Sequence, residues 1–96
     1  MSIQNDGYVN LANAIVQRAA EDYLKYKKRL YLLGDNGDPY DERKGVLDTR
    51  DKLMDVERFF KSKWYITLTN LNSEVLVKKL NQEFEEWKAE HKLKQA

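Results

Sequence analysis

The chain has 96 residues, with 17 Lys/Arg against 16 Asp/Glu, a formal net charge of +1 and no cysteine. That length supports one domain with a small core. The charge balance excludes both a globally basic surface for polyanions and a globally acidic surface imitating DNA. Without cysteine there is no disulfide framework and no thiolate chemistry.

One Pro, four Gly and a charged fraction of 34% favour a helical protein with a heavily solvated surface. The two halves are balanced: residues 1–48 hold seven Lys/Arg and eight Asp/Glu, and residues 49–96 hold ten and eight. The opening "MSIQNDGYVN" has no basic segment followed by an apolar run, so no secretory leader is expected. No apolar run approaches the roughly 18 residues that span a bilayer.

Residues 8–33 read as one long helix. Tyr8, Ala12, Ile15, Ala19, Tyr26, Leu30 and Leu33 recur at helical steps, and Val16 and Tyr23 widen the stripe. Arg18, Glu21, Asp22, Lys25, Lys28 and Arg29 occupy the opposite face, with Glu21 and Lys25 in the favourable i,i+4 order. Asp6 is the expected start cap and Gly34 the expected stop. The segment "GDNGDPYDERKG", 34–45, holds three of the four Gly and the only Pro, and reads as the main loop.

A second helix is expected over 46–61, with Val46, Leu53, Val56, Phe60 and Trp64 on one face and Leu68 and Leu71 in the same register. The following "WYITLT" has local strand character. A lone strand leaves its backbone groups unpaired, however, and no partner strand is evident. Residues 63–69 are therefore read as helical, either continuing the second helix or kinking near Ser62. An intermolecular sheet in a dimer is the alternative. Asn72 or Ser73 caps a last helix, on which Leu76, Leu80, Phe84, Trp87 and His91 form a stripe. The tail from 91 to 96 is expected to fray. The expected fold is all-α: a single domain over 1–96, a small bundle of three main helices, the middle one kinked or broken near Ser62.

Catalytic and metal constellations are weak. His91 is the only histidine, and a metal site needs three or four convergent ligands. It reads as a residue at a helix end. The acidic "DNGDPYDE" fails the calcium-loop pattern: counting from Asp35, the third position is Gly37, the fifth is Pro39 and the required glycine is Tyr40. Asp51, Asp55 and Glu57 alternate with Arg50, Lys52 and Arg58, the mark of a solvated ion-pair surface. No nucleophile triad and no phosphate-binding glycine loop is present. Neither an enzyme nor a cofactor is expected.

Two basic-aromatic clusters invite a nucleic-acid reading. Lys25, Lys27, Lys28 and Arg29 lie beside Tyr23, Tyr26 and Tyr31; Arg58, Lys61 and Lys63 lie beside Phe59 and Tyr65. Against it, Tyr23, Tyr26, Phe60 and Trp64 fall on the apolar faces, and the net charge is almost nil. Leu24, Tyr31, Phe59, Tyr65 and Ile66 cannot all be covered by a three-helix bundle. They read either as a partner surface, for another protein or a second copy, or as flanks covered by the 34–45 loop.

"NLANAIVQRAAEDY" (10–23) followed by "ERFFKSKWYITLTNL" (57–71) resembles a group of small uncharacterised proteins of phages and prophages of Gram-positive bacteria. The likeness covers about two-thirds of the chain, omits the 34–45 loop, and rests on apolar positions. It carries over no functional residue. It implies a phage gene expressed in the bacterial cytoplasm, and with it a non-enzymatic factor that binds a host bacterial protein, such as an anti-defence inhibitor of the anti-CRISPR kind. The acidic run with Glu83, Glu85, Glu86 and Glu90 could offer such a target a local patch, or be an ordinary solvated face. A small nucleic-acid-binding or replication-accessory protein using Lys25, Lys28, Arg29, Arg58, Lys61 and Lys63 is the alternative, and a phage assembly factor a third.

Overall fold

The computed structural model describes the backbone of residues 3–95 and the side chains of residues 12–93. Four helices follow one another: α1 (Ile3–Leu32), α2 (Lys44–Phe60), α3 (Lys63–Leu68) and α4 (Ser73–Gln95). No strand occurs among the described residues, and residues 63–68 are helix. The molecule is elongated, 52 × 30 × 19 Å, because α1 alone is 30 residues long. The helix starts at Ile3, which places Asp6 inside it rather than at its cap. Tyr8, which headed the expected stripe, lies outside the described side chains.

Helix α1 ends in a hydrogen-bonded cap. Gly34 takes φ +75°, its N–H donates to Tyr31 O (3.0 Å), and Asp35 N–H donates to Leu30 O (2.9 Å). These two bonds satisfy carbonyls that the helix end would otherwise leave unpaired. The loop beyond is held by its own polar side chains. Asp35, Asn36, Asp38 and Asp41 each accept a bond from the backbone N–H two residues ahead.

The loop is also tied to its neighbours. Asp35 forms a forked ion pair with Arg50 of α2. Arg43 is bonded to Asp41 (2.7 Å) and donates to the Leu33 carbonyl (2.6 Å). Arg43 holds the Asp41 carboxyl down to about 2, and Arg50 lowers that of Asp35. These carboxylates are committed to the hairpin turn. Among the described residues no group of three His, Cys, Asp or Glu is placed to hold a metal ion.

Helix α2 returns antiparallel along α1. Arg29 Nε donates to Thr49 Oγ1 (3.0 Å), and Thr49 in turn donates to Gly45 O (2.6 Å), so the buried Thr49 hydroxyl is satisfied. Ser62 then both stops α2 and starts α3. Its hydroxyl donates to Phe59 O (2.6 Å) and accepts from Tyr65 N–H (3.2 Å). The two-residue interruption shifts the register of everything after it. An unbroken helix would have turned Trp64 inward, four residues after Phe60. Instead Tyr65 is buried, at 2% exposed, and Trp64 stands 55% exposed. The expected shared face of Phe60 and Trp64 is corrected on this ground.

The core is an aromatic and aliphatic cluster built around Val16, Tyr23, Phe60, Tyr65 and Leu80. Tyr23, Phe60, Phe59 and Tyr65 meet largely edge to face at 5.7–5.9 Å between ring centres. Such pairs add about 0.5–1.5 kcal/mol each beyond the area they bury. Asn72 caps α4 through bonds from Glu74 and Val75 N–H. Helix α4 runs parallel to α1. Tyr23 bonds Asn81 (2.7 Å), and higher up Tyr31 packs edge-on against Phe84, Trp87 and His91. His91 stacks on Trp87 at 5.1 Å. Helix α4 runs on to Gln95.

Candidate partner-binding site

Helix α1 is the spine of this fold: α2, α3 and α4 all pack on it, while α4 makes little contact with α2 or α3. A trough of about 1160 Å³ opens along α4 beside the end of α2. Its α4 wall runs from Ser73 to Glu86, and its other wall is Glu57 and Phe60 of α2 with Lys61 just beyond the helix end. On the α4 wall, Asn81 and Glu85 lie one step around the helix from the buried Leu80 and Phe84, while Val77, like Leu76, is half-buried against the core cluster. Phe60, Val77 and Asn81 bring apolar and amide surface into it.

The trough is acidic. Glu57, Glu74, Glu85 and Glu86 border it against Lys61 and Lys78. Glu85 is paired with Lys88 (2.9 Å); Glu57, Glu74 and Glu86 have no ion-pair partner among the described residues. Burial raises the Tyr23 phenol, its bond to Asn81 opposes that, and the Glu57 charge adds to the rise. The hydroxyl of Tyr23 is therefore a firm donor to Asn81 Oδ1, and it fixes that amide at the trough.

A second surface adjoins the first. At the α3–α4 corner, Ile66 is 71%, Trp64 55%, Val75 60% and Leu71 47% exposed. Ile66 and Leu71 line a shallow depression of about 430 Å³ with residues 69–74 of the connecting segment. Of these, Ile66 and Leu71 share one surface; contiguous exposed apolar side chains mark an interaction surface more often than isolated ones do.

The five side chains expected to form a partner face separate. Only Ile66 is exposed. Leu24 and Phe59 pack against the core cluster, Tyr31 is clasped by α4, and Tyr65 is buried, because the Ser62 break turns it inward. The covering element is α4 and the core itself, not the 34–45 loop.

The six cations of the nucleic-acid alternative do not gather either. Lys28 lies over Trp87 and its neighbour Lys27 over Phe84 and Tyr23, on the α4 side. Arg29 turns to Thr49 on the α2 side, and Lys25 reaches over Tyr26. Arg58 turns to Asp55 and Met54, while Lys61 and Lys63 are exposed on either side of Ser62. Of the acidic run, Glu85 and Glu86 border the trough. Glu83 and Glu90 are exposed elsewhere on α4.

Sequence reasoning missed Trp64, whose exposure was signalled only by Ser62 as a cap in mid-helix. It also missed Glu57, Glu74, Val77 and Asn81. Their spacing reads as an ordinary polar face, and only the separation of α2 from α4 makes it a trough. Comparison with known protein families, characterised proteins and solved structures found no match.

Proposed function

We propose that this chain is a non-enzymatic interaction protein of phage origin that works by binding a host bacterial protein in the cytoplasm, as an anti-defence inhibitor of the anti-CRISPR kind. The observation that carries the reading is the set of exposed apolar side chains in the α3–α4 segment: Ile66 and Leu71, which line one depression, with Trp64 and Val75 exposed close to them in sequence. Tryptophan and its apolar neighbours are the side chains that most often anchor a protein interface, and leaving them in water has a cost that a partner removes. Among the described residues no helix is long and apolar enough to cross a membrane. The resemblance to phage proteins supports the origin and the host target.

The test is a comparison of captures from a bacterial lysate, with and without nuclease, using the wild type and a Trp64→Ser/Ile66→Ser variant. One host protein held at a fixed ratio by the wild type, insensitive to nuclease and lost by the variant at unchanged helicity, is the expected result. Material lost on nuclease treatment or recovered equally by both proteins refutes the reading. Nucleic acid released with a steep salt dependence would move the assignment to the phosphate-binding alternative.

A further inference from the structure

We propose that the trough along α4 is the seat of a basic amphipathic helix supplied by the bound protein, a refinement that rests on the function proposed above. Three observations argue for this occupant. The first is shape. The α4 wall from Ser73 to Glu86 is about 20 Å long at 1.5 Å per residue, three to four helical turns. The second is position. Helices α2 and α4 both lie on α1 yet stay apart, which leaves room for another helix to pack between them. The third is charge. Glu57, Glu74 and Glu86 border the trough without ion-pair partners among the described residues, against two equally unpaired lysines, Lys61 and Lys78; lysines or arginines flanking an apolar stripe would meet the carboxylates while the stripe meets the half-buried Val77 over the edge of the buried Phe60.

The same charges disfavour the competing occupants. A nucleic-acid backbone meets four carboxylates and only two cations, Lys61 and Lys78. A second copy joined through this trough by a two-fold axis sets one acidic border against the same border of the other copy. Asn81, its Oδ1 taken by Tyr23, keeps its amide N–H groups for an incoming acceptor.

The probe is a synthetic 14-residue helix of leucine and lysine with one apolar face, compared with its leucine and glutamate counterpart. Binding is followed by fluorescence anisotropy and by amide shifts of Val77 and Asn81. The lysine peptide should bind the wild type and shift both residues, and the glutamate peptide should not. The variant E57K/E74K/E86K should weaken the lysine peptide by at least about tenfold, as attraction becomes repulsion at three places. Circular dichroism checks that these surface changes leave the helices intact.

Equal binding by the charge-reversed variant, no shift at Val77 and Asn81, or a trough-dependent dimer in sedimentation overturns the proposal. The lysate capture separates this failure from that of the broader reading. A host protein retained by E57K/E74K/E86K but lost by Trp64→Ser/Ile66→Ser removes the trough proposal and leaves the interaction function standing. Loss with both variants supports both.

Discussion

Replacing Tyr65 by phenylalanine should stabilise this protein. The ring is 2% exposed and packs edge to face on Phe59 (5.7 Å) and Phe60 (5.9 Å), contacts that phenylalanine keeps. The hydroxyl is buried without a hydrogen-bond partner among the protein atoms. A buried donor left unmade costs about 1–3 kcal/mol, so its removal should return an amount of that order. For a domain of this size each kcal/mol moves Tm by about 4–8 °C. Urea and thermal unfolding followed by circular dichroism measure the difference. Tyr65→Ala should instead cost about 3–5 kcal/mol, a large part of a total near 5–15 kcal/mol. Trp64→Ala should stay within about 0.5 kcal/mol. A Tyr65→Phe variant less stable than wild type would show that the hydroxyl is bonded. A Trp64→Ala loss equal to that of Tyr65→Ala would show that the register after Ser62 is the other one, and the account of the break would fall.

Ser62→Ala removes a bond at each of two helix ends and should cost about 0.5–2 kcal/mol, read by the same unfolding curves. Gly34→Ala puts a side chain at φ +75°, in open space but left-handed, and should cost about 1–2 kcal/mol. Phe59→Ser should lower Tm while Ile66→Ser leaves it nearly unchanged, since only the first packs on the core. Burial raises the phenols of Tyr65 and Tyr23, so the folded state keeps protons that the unfolded chain releases near pH 10. Their contribution is fully present below that pH and is lost as pH rises through the folded values; Tyr65→Phe should flatten part of this alkaline loss. Asp35 and Asp41 are lowered, so theirs is present above about pH 4 and is lost as pH falls towards the folded values. Asp35→Asn should make the acid limb of a pH–stability profile shallower.

Where helices keep an unbroken register, the sequence carried the core. Tyr23, Leu30, Val46, Phe60, Leu80 and Phe84 were legible as stripe residues and are buried. Periodicity fails where a short polar contact resets the phase. At Ser62 one hydroxyl exchanges Trp64 for Tyr65, a change that no average over a helical window registers. The 34–45 segment was legible as a turn from its Gly, Asp and Asn content, but not the arginines that fasten it, because Arg43 and Arg50 look like any other surface cation until the hairpin closes. The candidate site was the least legible part. Exposure at Ile66 was within reach, whereas the trough depends on the distance between two helices that are not consecutive in the chain.

The central position of α1 also sets the order in which the structure can come apart. The α1–α2 hairpin joins neighbours in sequence and is fastened at its turn, whereas α4 is held by its inward stripe against α1 and scarcely by α2. Detaching α4 breaks the Tyr23–Asn81 bond and the Tyr31–Trp87 contact but leaves the hairpin's fastenings whole. Native-state hydrogen exchange should resolve two cooperative units, with the amides of α4 opening at a lower free energy than those of α2 facing α1. A ligand lying across both helices would merge the two into one.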